Sequence, residues 1–256
     1  MKRSYLVVTI LLFILSAMCF IYFEALHAAI LKDALANKLL CGFISRFSLS
    51  LLFGWLLYIA GGRYLMVFNK NSLRLFVWSL PCFMVAFINF PYSAIINKTA
   101  TIVRSDLIGL YVLYVISVAL LEEFIFRGII IVTAKDYFRN NRHAPLIIVL
   151  ISAIIFSLFH LTNLLEGADF GNVMLQCGYT FLIGAMLAVT VLKTKSIWVC
   201  VVIHAIFDFG GILIINLGSG NPWDTVFWVL TIISGVLCAS HVIYSLIKLE
   251  KDYVSR

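Results

Sequence analysis

Charge is scarce in this chain: Asp, Glu, Lys and Arg make up 12% of its 256 residues, hydrophobic residues make up 63%, and the mean hydropathy is +1.06. A water-soluble domain could not present such a composition at its surface, so the sequence reads as that of an integral membrane protein. Long polar connections are also missing. The longest has only about 15 residues, too few for a soluble domain to fold, and residues 1–256 are expected to form a single transmembrane domain. The six cysteines (Cys19, Cys41, Cys82, Cys177, Cys200 and Cys238) show no CxxC or other ligand spacing, which argues against a disulfide framework or a zinc ribbon. No basic patch with interleaved aromatics occurs, so nucleic acid is not an expected partner. Of the four prolines, Pro81 and Pro91 fall in one apolar stretch and are expected to kink or break it.

What the sequence does have is apolar runs of bilayer length, about 20 residues each. Eight are expected, at 5–23, 39–61, 72–97, 107–134, 144–165, 171–192, 197–217 and 224–247. They are apolar all round rather than alternating, which favours helices over a barrel, so the fold class is all-α and polytopic. Most of the 19 Lys and Arg residues fall on one set of connections, with Lys32, Lys38, Arg46, Lys98 and Arg104 assigned to the other. This places both termini in the cytoplasm, leaves Arg127 as the one basic residue within a span, and makes the net charge of +7 chiefly a topology signal. The first run is read as a retained helix rather than a signal peptide, because the small residues around Ala34-Leu35-Ala36 lie too far beyond it for cleavage.

Three short polar clusters interrupt the spans: Glu122-Glu123 with Arg127, Phe156 with His160, and His204 with Asp208. An ionisable group within a membrane helix costs roughly 2.5–3.5 kcal/mol on insertion scales, so their recurrence in neighbouring spans points to a shared site. Glu123 and Arg127 are four residues apart on one helix face and can neutralise one another. Glu122 sits about 100° further round and must face another polar group, which suits a general acid or base. His160 and His204 can exchange protons or bind a metal. At about 1.5 Å per residue Glu122, His160 and His204 lie roughly 18, 24 and 10 Å from the inner ends of their spans, a spread that only half supports convergence. His27, His143, His241, Glu166, Asp169 and Asp224 are assigned to loops or span ends as solvated or interfacial groups.

In order, spacing and placement on separate helices, the trio resembles the successive motifs of the CAAX prenyl endopeptidase and bacteriocin-processing enzyme (CPBP, or Abi) family of intramembrane proteases, over a core of residues 107–217. The resemblance implies an endopeptidase that hydrolyses a peptide bond of a membrane-associated peptide or lipidated protein, in bacteriocin maturation, peptide-signal processing or self-immunity. It implies a bacterial cytoplasmic membrane as the setting. Glu122 and His160 would activate water, His204 and Asp208 would stabilise the oxyanion, and Glu123, Arg127 and Phe156 would support the site. Asp208 stands where the family has asparagine in some members and aspartate in others, and an ionised carboxylate cannot donate a hydrogen bond, so Asp208 would have to be protonated, orient His204 or bind a metal. A metal-free mechanism is favoured; a zinc ion, if used, would take Glu122, His160 and His204. The alternatives are a non-catalytic immunity or scaffold protein of the same fold and a proton-coupled transporter.

Overall fold

The computed structural model describes residues 30–67, 77–165 and 167–254. The expected span at 5–23 therefore lies outside the described residues, as do His27 and Glu166. Helices account for almost all of the described protein. Helix α1 (Ala34–Leu57) begins on an Asp33 cap and runs through a π turn at Tyr58–Gly62 to Met66. The expected third span divides into α2 (Leu80–Ile88) and α3 (Tyr92–Ile96), with Pro91 at the break. A second break falls at Ser79, between the helical Val77-Trp78 and α2, and Pro81 sits in the first turn of α2, where its missing N–H is no loss.

The central run consists of α4 (Ile108–Glu123), a π turn at Phe124–Ile129 and α5 (Ile130–Tyr137). Helix α6 (Ala144–Phe159) ends in a 3-10 turn at His160–Leu164, followed by α7 (Phe170–Thr194). Helix α8 (Ile197–Gly211) breaks at Ile212 before α9 (Leu213–Leu217), and α10 (Thr225–Val254) is the last described element. Among the described residues four helical stretches are long and apolar enough to cross a membrane: Ala34–Met66, Ala144–Leu164, Phe170–Thr194 and Thr225–Tyr253.

Helix α7 is the most enclosed, with Leu187, Ala188, Val189 and Val191 wholly buried. By contrast α1 and α10 expose large apolar side chains such as Leu51, Trp55, Ile232 and Val236. In water such faces would drive aggregation, whereas in a bilayer they meet lipid. The molecule is a membrane protein.

Arg46, assigned above to an outer connection, lies well inside α1, so Arg127 is not the one basic residue within a span. The all-α reading also misses a short clip, in which β1 (Ala100–Ile102) pairs antiparallel with β2 (Gly218–Gly220), Ala100 opposite Gly220 and Thr101 opposite Ser219. Gly220 has φ +96, and a Cβ there would lie 2.2 Å from the Thr99 carbonyl oxygen, so the clip needs glycine at that position.

Contacts between connections fall into two groups. At one end of the bundle lie the clip, the Asp33–Arg104 pair at 2.9 Å and the hydrogen bond that Ser93 donates to Asp224 at 2.8 Å. At the other end lie Lys193–Asp252 and His143–Glu250, each at 3.2 Å, and the bond that Trp198 Nε1 donates to the Met66 carbonyl at 2.7 Å. We call the first set the outer end.

The Asp33 carboxyl is held below the usual carboxylate range, first by the Ala36 N–H and then by Arg104; Asp106 is held low by Arg104. A carboxylate depressed in this way contributes stability above its unfolded-state value and loses it as pH falls through the folded value. Arg104→Gln should therefore lower the melting temperature at neutral pH, and the gap from wild type should close below about pH 4. Thermal melts across a pH series would check this.

The position of α8 depends on close approach to the break between α2 and α3. A Cβ on Gly210 would lie 2.9 Å from the Phe90 Cα, and Asn89 Nδ2 donates to the Phe207 carbonyl at 2.8 Å. Tyr111 of α4 donates to the Phe209 carbonyl at 2.9 Å. These contacts hold the stretch of α8 that carries Asp208. Gly210→Ala should push α8 from the break and destabilise the protein by about 1–3 kcal/mol, read as a lower melting temperature in detergent.

Candidate active site

The three polar clusters come together between α4, α6 and α8. At the end of α4 the helix passes into the π turn, whose extra residue re-aims the following side chains. The Phe126 carbonyl in this turn accepts a hydrogen bond from the buried Ser152 hydroxyl of α6 at 2.9 Å. Gly128 lets α1 close in, since a Cβ there would lie 2.7 Å from Leu57.

Glu123 and Arg127 are wholly buried and 3.2 Å apart, as the four-residue spacing predicts. The guanidinium also lies over the Phe156 ring, 4.1 Å from its centroid. Charge and the aromatic face hold it. The same Glu123 oxygen meets His204 Nδ1 at 2.7 Å, a partnership that spacing along one helix could not reveal. A carboxylate only accepts, so His204 Nδ1 is the donor, and Glu123 sets the orientation of that ring.

This leaves His204 Nε2 facing two further carboxylates, Asp208 at 3.4 Å and Glu122 at 3.6 Å. Glu122 thus faces another polar group, as its angular offset from Glu123 requires. The side chains of Glu122 and Asp208 remain 17% and 21% exposed while Glu123 has no exposure, so the first two reach the cavity and the third belongs to the frame.

His160 caps the end of α6, where its Nδ1 lies 2.9 Å from the Phe156 carbonyl. A carbonyl is an acceptor, so Nδ1 is the donor, and in the neutral imidazole the lone pair then lies on Nε2. Phe156 stands edge-on to both histidine rings, with centroids 4.9 Å from His160 and 5.9 Å from His204. Its aromatic face and carbonyl thereby serve Arg127 and His160 respectively. The spread in depth expected from the sequence does not keep the groups apart. Glu122, His160, His204 and Asp208 line one cavity of about 300 Å³.

Several lining groups went unrecognised in the sequence. Tyr179 of α7 lines the cavity, and Asn163 Nδ2 donates to Gln176 Oε1 at 2.8 Å across its polar wall. Arg46 lines it as well. Neutral amides and phenols carry too little insertion cost to stand out in an apolar helix, whereas the arginine did carry that signal and was placed in a loop.

His241 also needs correction, because it lies within α10 with its ring 4.7 Å from Trp78 and its Nε2 3.5 Å from Cys82 Sγ, rather than in a solvated position. Asp169 and Asp224 accept N–H bonds at the starts of α7 and α10, and His143 meets Glu250 near the other end of the bundle. Among the described residues Cys82, Cys177, Cys200 and Cys238 are free thiols. No group of three or more His, Cys, Asp or Glu among the described residues is arranged to hold a metal ion. The Nδ1 atoms of His160 and His204 are already committed to protein acceptors.

A mainly helical membrane protein with carboxylates and imidazoles around a cavity between its helices holds groups of the kind that proton chemistry within the bilayer requires. Its likeness is narrower: residues 104–210 match the family model described as type II CAAX prenyl endopeptidase Rce1-like, which supports the CPBP, or Abi, family. This supports a peptidase at the level of the family. Comparisons with curated proteins and with solved structures return no match.

Proposed function

We propose that the protein is an intramembrane endopeptidase that cleaves a peptide bond of a membrane-associated peptide or lipidated protein. The observation that carries this reading is the placement of Glu122 and Asp208 within 3.6 Å and 3.4 Å of one His204 nitrogen, on a cavity shared with His160. Glu122, partly exposed to the cavity, takes a proton from water. The His160 Nε2 lone pair accepts the other water hydrogen and orients the oxygen. The hydroxide so formed attacks the carbonyl carbon, the developing oxyanion accepts a hydrogen bond from the His204 Nε2–H, and Glu122 returns its proton to the amine nitrogen as the C–N bond breaks and the carbonyl re-forms.

In this reading Asp208 donates nothing. It holds the Nε2 side of His204 while Glu123 holds the Nδ1 side, and the aspartate in place of asparagine becomes an orienting group. Apolar walls from Phe53, Leu121 and Phe156 limit water at the reacting bond.

The test is cleavage of a membrane-anchored reporter peptide by purified protein in lipid vesicles, set against Glu122→Ala and His160→Ala. Cleavage by wild type and loss in both variants supports the reading. Undiminished cleavage in both variants overturns the mechanism, and proton flux without any cleavage would identify a transporter instead.

A further inference from the structure

Peptide hydrolysis in this cavity needs hydrogen-bond donors at the oxygen that becomes negative in the tetrahedral intermediate. His204 Nε2–H supplies one. Asp208 supplies none, because a carboxylate only accepts, and its charge would repel the oxyanion where an amide would hold it. A further donor has to come from outside the three polar clusters.

Helix α7 carries one. Gln176, Tyr179, Thr180 and Ile183 line the cavity from α7 at the three- and four-residue spacing of a single helix face. The Tyr179 ring packs against Phe207, the residue just before Asp208, with centroids 6.2 Å apart. Its hydroxyl lies within electrostatic reach of both the Asp208 and the Glu122 carboxylates. The phenol therefore shares the space where the reacting bond must sit.

The polar neighbours of Tyr179 fix the sense of its hydrogen bonding. Asn163 Nδ2 donates to Gln176 Oε1 at 2.8 Å, and the Gln176 side chain bonds the Tyr179 hydroxyl in turn. With Oε1 engaged, Gln176 donates through Nε2, so the phenol oxygen accepts and keeps its own proton for another acceptor. The chain from Asn163 through Gln176 to Tyr179 runs donor to acceptor throughout, which polarises the terminal O–H. A phenol also brings no charge into a cavity that already holds carboxylates.

We propose that Tyr179 is a catalytic residue that donates its O–H to the oxyanion of the tetrahedral intermediate, as a second donor beside His204 that offsets the aspartate at position 208. The phenol proton stays on its oxygen throughout, and no bond is made or broken there. The inference rests on the endopeptidase reading above.

The experiment measures cleavage of the membrane-anchored reporter peptide in lipid vesicles by wild type, Tyr179→Phe, Asp208→Asn and the double variant. Tyr179→Phe keeps the ring and its contact with Phe207 and removes only the hydroxyl. Its kcat should fall roughly 10²–10³-fold, the cost of losing one oxyanion donor, with KM within a few-fold and an unchanged melting temperature. In the Asp208→Asn background an amide can donate instead, so the same substitution should cost at least about 10-fold less. An undiminished kcat in Tyr179→Phe, a loss confined to KM, or an equal loss in both backgrounds would overturn the proposal.

If wild type does not cleave the reporter, the endopeptidase reading fails on its own. Binding of a phosphinate analogue of the reporter, whose tetrahedral oxygens imitate the intermediate, then decides whether Tyr179 holds an oxyanion. Phosphinate binding that weakens in Tyr179→Phe by about 10-fold or more beyond any change for the reporter itself supports that role. An equal change for the two ligands, or no phosphinate binding by wild type, overturns it.

Discussion

Replacing Glu122 by Gln should lower kcat by roughly 10²–10⁴-fold, the range lost when a positioned general base is removed. The substitution preserves shape and removes the one property the mechanism needs, a carboxylate able to accept a proton from water. Glu122 is 17% exposed and lies 3.6 Å from His204 Nε2, further than a strong hydrogen bond, so its loss should disturb the frame little. KM should stay within a few-fold and the melting temperature within a few degrees. Reporter cleavage with thermal melts of the same preparation would measure all three. A Glu122→Gln protein that cleaves at the wild-type rate would end the case for this residue as the base.

The opposite pattern is expected at Arg127. Arg127→Met should destabilise the protein by about 3–5 kcal/mol, because it leaves the Glu123 carboxylate buried without its cation. Arg127 and Glu123 both have zero side-chain exposure, so water cannot take over the lost interaction. The double variant Glu123→Gln with Arg127→Met should recover much of that loss, since it removes both charges together. Its activity should remain low, because a neutral amide at position 123 holds His204 less firmly than the carboxylate now bonded to Nδ1 at 2.7 Å. Denaturant or thermal unfolding of the two single variants and the double variant would give the coupling energy. Additive effects across that cycle would show that the pair is not the clamp described.

Much of the site was legible because membrane insertion makes every ionisable group conspicuous. Glu122, Glu123, Arg127, His160, His204 and Asp208 stand out in apolar runs, and the four-residue spacing already paired Glu123 with Arg127. Arg46 shows how that same signal fails. It fell within the expected run 39–61 yet was counted with the adjoining connection, and the helix from Ala34 to Leu57 places it inside. Asn89 and Tyr111, which hold α8 through its carbonyls, gave no warning either, because each resembles an ordinary membrane-helix residue until its partner is known.

By itself the sequence determined the all-helical membrane class, the charged residues that needed a common explanation, and the family motifs that order them. Hydropathy and 3.6-residue periodicity are local properties, readable along one helix at a time. Tertiary structure alone decided that His204 lies between Glu123 and the two cavity carboxylates, that His160 keeps its Nε2 for the cavity, and that Arg46 joins them. Those relations depend on helix rotation, on the π turn after Glu123 and on the close approach that Gly128 and Gly210 permit. Spacing within one helix cannot encode the distance to another, because that distance is set by packing.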